Sequence, residues 1–202
     1  LYAYNKAGTK LWQTIATEKY SKVTMGSGFH AGTVSFADFN GDGFAEIYVK
    51  DKIYDLQTGK LLLDLSLDAT GVNLEIVAVA DIFDNGKLCY IAGNNVFEIE
   101  ITNRSDTTGN KATLVSNIPA VTIDSYSCTY GKTIVADFDL DGKLDILVHG
   151  NSWFYIWNPY TKQVMIKQNL VGYTGNGVPF VGDMDKDGYP ELIDSGVKHV
   201  TA

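Results

Sequence analysis

The feature that most constrains this chain is a nine-residue motif, rich in oxygen-bearing side chains, that occurs in three intact copies. Each copy has Asp or Asn at positions 1, 3 and 5, glycine at position 6, and Asp or Glu at position 9. An apolar run follows each copy at once. The copies are Asp38, Asn40, Asp42, Gly43 and Glu46 in the first loop, Asp137, Asp139, Asp141, Gly142 and Asp145 in the third loop, and Asp183, Asp185, Asp187, Gly188 and Glu191 in the fourth loop.

An incomplete copy, residues 81–89, is the second loop. Asp81 and Gly86 keep positions 1 and 6, but Phe83 replaces the oxygen at position 3 and Cys89 replaces the acid at position 9. We expect the second loop to keep the same turn without a metal, held instead by the packing of Phe83.

The intact loops predict calcium. One such motif would be weak support, because surface turns are commonly built from Asp, Asn and Gly. Three copies that each end in an acid and lead into a strand are not explained by composition. Hard oxygens at this density, completed by the position 7 carbonyl, favour Ca²⁺ over Mg²⁺, which needs fewer protein ligands and rigid octahedral geometry. We predict about three structural Ca²⁺ ions, with carbonyl ligands from Phe44, Lys143 and Tyr189.

The spacing of the loops predicts the architecture. Their first aspartates recur after 43, 56 and 46 residues, a period typical of propellers and solenoids. The longest interval contains a polar insertion, residues 103–111. Each period holds four short β-branched or aromatic segments bounded by turn residues, and no helical period is sustained. The chain is therefore predicted to be all-β, a β-propeller of four-stranded antiparallel blades. The predicted parts are an outer hairpin and link at 1–30, blades at 31–70, 71–124 and 125–170, and the inner strands of a last blade at 171–202.

The two chain ends leave two arrangements open. The half blades at 1–30 and 171–202 could combine and close a four-bladed ring, or the chain could be a piece of a larger propeller. Because the sequence lacks an initiator Met and begins inside a strand, we favour the piece, with more propeller or other domains in the full-length protein.

The repeats resemble FG-GAP/VCBS blades, the kind found in the integrin α-subunit propeller and in many bacterial surface proteins. The resemblance is closest from Gly177 to Ile193, and Ala37-Asp38 and Ala136-Asp137 are similar. It implies a calcium-binding propeller that binds proteins or glycans, or one that accompanies a carbohydrate-active enzyme. The chain departs from the pattern in its second loop and in retaining only fragments such as Gly28-Phe29.

The charge of the chain follows from the loops. Eleven of the 24 acidic residues lie in the three intact loops, and the other 13 are outnumbered by 16 Lys and Arg. The net charge of −8 therefore reflects the predicted metal sites. No Lys/Arg cluster indicates a nucleic-acid face, and no stretch of 18 apolar residues predicts a transmembrane segment.

Candidate ligand-binding residues lie on the rim predicted to be opposite the loops. His30 and His149 map there, with Asn151 and Trp153 close to His149 in sequence. A histidine, an amide and an aromatic ring suit a sugar, but a structural role for His149 at a strand end is the alternative. Trp153 shares one strand face with Tyr155 and Trp157, and we favour packing between blades over a sugar platform for that face.

We expect a calcium-stabilised module, secreted or on the cell surface of a bacterium, that binds a protein or glycan, and we favour this binding module over an enzyme. We assign no catalytic residue, because no Ser/His/Asp or Cys/His arrangement is legible. The alternative is the propeller domain of a carbohydrate-active enzyme, such as a polysaccharide lyase.

Overall fold

The computed structural model describes residues 1–14, 33–67, 76–150, 152–170 and 178–193. All regular structure in these ranges is β-strand, as the sequence predicts. The strands are β1 (Tyr2–Tyr4), β2 (Lys10–Gln13), β3 (Ser35–Ala37), β4 (Glu46–Val49), β5 (Lys52–Asp55), β6 (Leu61–Asp64), β7 (Ala78–Ala80), β8 (Cys89–Ala92), β9 (Asn95–Glu100), β10 (Lys111–Asn117), β11 (Val121–Ile123), β12 (Tyr126–Cys128), β13 (Lys132–Ala136), β14 (Asp145–His149), β15 (Trp153–Asn158), β16 (Gln163–Asn169), β17 (Phe180–Gly182) and β18 (Glu191–Ile193).

The strands form three four-stranded sheets in simple chain order. The first sheet is β3 to β6, the second is β7 to β10 and the third is β13 to β16. Three two-stranded hairpins, β1–β2, β11–β12 and β17–β18, complete the described part of the chain. Consecutive four-stranded antiparallel sheets are the blades of a propeller. The β1–β2 and β17–β18 hairpins are separate sheets, so the described strands do not close a ring and the fold is that of a partial propeller.

The chain divides into two compact units. One comprises residues 1–75 and 99–112, and the other comprises residues 76–98 and 113–202. The core of the first unit includes Ile53 and Leu62, which are fully buried on adjacent strands of the first sheet.

The second unit is built around the inner strands of the third sheet. Strand β14 is buried at every position and pairs with β13 on one side and β15 on the other. A strand covered on both faces carries a continuous apolar run, which β14 shows in Ile146, Leu147 and Val148. The amide of Thr133 in β13 donates to the carbonyl of Ile76 (3.0 Å), just before β7, so the first strands of two successive sheets are neighbours.

The aromatic strand β15 packs as a structural element. Tyr155 and Trp157 are fully buried in the core cluster of the second unit, which confirms the packing interpretation for these two residues. The buried indole N–H of Trp157 donates to the carbonyl of Gly93 (3.2 Å). In the first unit, the indole N–H of Trp12 in the β1–β2 hairpin donates to the carbonyl of Leu56 (3.0 Å). Each indole therefore bonds its hairpin to neighbouring backbone.

Candidate metal centres

Each motif loop joins two antiparallel strands, and its position 9 residue is the first residue of the second strand. The residue before position 1 pairs across the sheet with position 9: Ala37 with Glu46, and Ala136 with Asp145. Strand pairing therefore fixes the position 9 acid beneath the loop. The fourth loop follows the same rule, with Gly182 paired to Glu191.

The position 1 carboxylate is held by backbone amides from within its own loop. In the third loop, Asp137 accepts from the amides of Asp141 (3.1 Å) and Gly142 (2.9 Å). In the first loop, Asp38 accepts from the amides at the same two positions at the same distances. Such side-chain to backbone bonds are typical of Asp-rich turns and hold the chain in a tight ring.

The position 9 acids of the first and third loops are buried and closely held. Glu46 accepts from the Phe39 amide (2.9 Å) and Asp145 from the Phe138 amide (3.2 Å), and both acids are fully inaccessible to solvent. Burial raises the pKa of Glu46, with Asp42 and Asp38 adding to the effect. Burial also raises the pKa of Asp145 to about 6. A buried carboxylate next to other acids is unfavourable unless a cation compensates its charge.

The acids converge as a metal site requires. Asp137, Asp139 and Asp145 each offer one oxygen within 4.8 Å of the others. Asp183, Asp185 and Glu191 of the fourth loop do the same. In the first loop, Asn40 takes the place of one acid, and the Oε1 atom of Glu46 is buried without a hydrogen-bond partner. An unsatisfied buried carboxylate oxygen fits a cation ligand, and this oxygen-only donor set suits Ca²⁺.

The backbone of each loop has positive φ angles at positions 4 and 6. The sequence indicated position 6, where the glycines have φ between +81° and +97°. The sequence did not indicate a positive φ at position 4, because glycine occupies that position only in the first loop, as Gly41. Asp84, Leu140 and Lys186 occupy position 4 in the other loops with φ of +50°, +59° and +67°. These values lie in the left-handed region that L-residues can reach, whereas position 6 lies beyond it.

The second loop keeps the turn without oxygen side chains at positions 3 and 9. Asp81 accepts from the amides of Asn85 (3.0 Å) and Gly86 (2.7 Å), the same two positions that donate to position 1 in the first and third loops. Phe83 packs edge-on against Tyr160, with ring centroids 5.3 Å apart. Cys89 is buried in the core cluster at position 9. The predicted packing role of Phe83 is confirmed, and its partner comes from the β15–β16 turn of the third sheet.

The candidate ligand-binding residues are described only in part. His30 and Asn151 lie outside the described residues. His149 is fully buried in β14, and Trp153 is half-buried and stacked on Tyr155 with ring centroids 5.8 Å apart. Ligand binding by these residues stays a prediction.

Comparison with protein families is informative for the third and fourth loops. A family model described as FG-GAP-like repeat matches residues 137–193, from position 1 of the third loop to the end of β18. Residues 137–193 are therefore an FG-GAP-like repeat. Searches of curated proteins and of solved structures gave no match.

The matched segment contains the third and fourth loops, and in both of them backbone amides donate to the acids at positions 1 and 9. The described part of the chain contains no helix long and apolar enough to cross a bilayer.

Proposed function

We propose that this chain, with its FG-GAP-like repeat, is a calcium-stabilised β-propeller module, secreted or on the bacterial cell surface, that binds a protein or glycan ligand. One observation supports it most: in the first, third and fourth loops alike, backbone amides of the loop donate to the acids at positions 1 and 9, and the position 9 acid is fully buried in the first and third loops. Repetition of this arrangement of acids and amides in three loops supports a bound ion rather than three unrelated turns.

In this proposal the ions are structural. Each Ca²⁺ is bound by the side chains at positions 1, 3, 5 and 9 and by the position 7 carbonyl, and so connects the first two strands of a blade. An ion that binds the folded state alone stabilises it by about 2.7 kcal/mol per site at 100-fold excess over Kd. It also offsets the repulsion among carboxylates that converge on one centre.

The loop chemistry and the repeat type support the proposed extracellular location and binding role. Weak sites of this kind fill in the calcium-rich extracellular medium, whereas cytosolic calcium is too scarce. A stack of blades also presents loops at its two ends, where ligands can be bound without any change in the packed sheets.

Calcium dependence is tested by thermal unfolding with CaCl₂ and with EDTA. We expect EDTA to lower Tm markedly, and Asp139→Ala and Asp185→Ala each to reduce the calcium-induced increase. Asp84→Ala is the matched control, because it removes one acid from the second loop, and it should leave the calcium response unchanged. A Tm that is the same in EDTA and in calcium would indicate that the loops are ordinary turns that bind no calcium.

The ligand class is tested separately. The intact protein should bind members of a glycan array or an extracellular-matrix protein panel without altering them. Release of oligosaccharides from a polysaccharide would instead place the module in a carbohydrate-active enzyme.

A further inference from the structure

The polar insertion of the second sheet folds into an ordered loop fastened to the first sheet. Asn110 is its anchor: the Asn110 side-chain oxygen accepts from the amides of Thr102 (2.8 Å) and Asn103 (2.9 Å). Its amide nitrogen donates to the carbonyl of Leu62 in β6 (2.9 Å). All of these residues belong to the same compact unit. The insertion is therefore held in place by specific bonds.

This loop presents Arg104 to the first motif loop. The Nε and Nη2 atoms of Arg104 donate to Oδ2 of Asp55 at 2.9 Å and 2.6 Å. Its Nη1 lies 3.4 Å from Oδ2 of Asp42, the position 5 acid. The guanidinium also lies over the ring of Phe44, the position 7 residue, 5.0 Å from its centroid. One cation thus contacts two positions of a predicted calcium site.

The third loop shows which donor the first sheet lacks. There, Asn158 at the end of β15 donates to Oδ1 of Asp145 at 3.0 Å and so satisfies the second oxygen of the position 9 acid. In the first sheet the residue paired with Glu46 is Asp55, which has no proton to donate as a carboxylate. The Asp55 side chain is only 3% exposed and needs a positive partner, which Arg104 supplies.

We propose that Arg104 is a tethered cation that stabilises the calcium-free first loop and weakens its affinity for Ca²⁺. The inference rests on the proposed calcium binding and adds that the sites are not equivalent. The charge of Arg104 repels an incoming ion, and its contact with Asp42 must be shared or broken when that carboxylate turns to the ion. The first loop also has one acid fewer than the third and fourth loops.

A titration that resolves each site tests the proposal. The position 6 amides of Gly43, Gly142 and Gly188 each donate to the position 1 acid of their own loop. Their signals in ¹⁵N-labelled protein therefore report the three sites separately during addition of CaCl₂. In the unchanged protein, Gly43 should respond at a higher calcium concentration than Gly142 and Gly188.

The variant Arg104→Gln should then lower the calcium midpoint of Gly43 about fivefold, the effect of one partly exposed charge. The midpoint of Gly142 should stay unchanged. Arg104→Gln should also lower Tm more in EDTA than in saturating calcium. Lys111→Gln is the control, because it removes an equal charge from the end of the same connection, where Lys111 meets Glu100 in an exposed pair at 3.9 Å.

The possible results separate the two proposals. If none of the three glycines responds to calcium, the proposed function fails. If Gly142 and Gly188 respond but the midpoint of Gly43 is unchanged or raised by Arg104→Gln, the tethered-cation proposal is wrong. The wild-type midpoints test it even if Arg104→Gln does not fold, because a Gly43 midpoint at or below that of Gly142 contradicts it.

Discussion

Replacing the position 6 glycine with alanine should destabilise the fold even without calcium. Gly142 has φ of +86°, and a Cβ atom built there meets no atom within 4 Å. Gly142→Ala should therefore lower the free energy of unfolding only through backbone strain, which is about 2 kcal/mol for a non-glycine residue outside the favoured φ/ψ regions. For a chain of this size that corresponds to a decrease in Tm of about 4–8 °C.

The same loop provides a matched control at position 4. Leu140 has φ of +59°, near the centre of the left-handed region, and its side chain is half exposed. Leu140→Gly relieves a small native strain and increases the freedom of the unfolded chain by a similar amount, so the net change should stay within about 0.5 kcal/mol. The difference between the two variants isolates the φ requirement of position 6.

Both variants are compared with the wild type by urea unfolding in EDTA, followed by circular dichroism and tryptophan fluorescence. Working in EDTA keeps metal affinity out of the comparison. An unfolding midpoint for Gly142→Ala equal to that of the wild type would refute the assigned loop geometry. A gain above about 1 kcal/mol for Leu140→Gly would show that position 4 is as strained as position 6.

Two further predictions concern the insertion and the cysteines. Asn110→Ala removes the anchor of the insertion and leaves its backbone partners without bonds, so urea unfolding should show a free energy of unfolding lower by about 3 kcal/mol. The calcium midpoint of Gly43 should also decrease, as in Arg104→Gln. An unchanged stability would mean that the insertion is not docked. Cys89 and Cys128 are buried free thiols, and burial raises the pKa of Cys89 to about 11. A thiol reagent such as DTNB at pH 8 should therefore react only after unfolding. Rapid reaction of the native protein would contradict this packing.

The loop chemistry could be predicted from the sequence because it depends on near neighbours. Positions 1, 5 and 6 interact within six residues, so the spacing of Asp137, Asp141 and Gly142 was sufficient to indicate the turn. The β-strands were predictable for the same reason, since alternation and turn residues are local signals. The left-handed position 4 was not, because Leu140 has no glycine or asparagine signal that would indicate a positive φ.

The sequence by itself determined the all-β repeat, the carboxylate loops, and the loss of acids from the second loop, because each is encoded within a few residues. Only the tertiary structure decided that the insertion brings Arg104 to the first loop, 62 residues away in sequence from Asp42. It also decided that Phe83 meets Tyr160 and that His149 is buried. These contacts depend on which sheets become neighbours, and neighbouring sheets are set by packing of the whole chain rather than by local pattern.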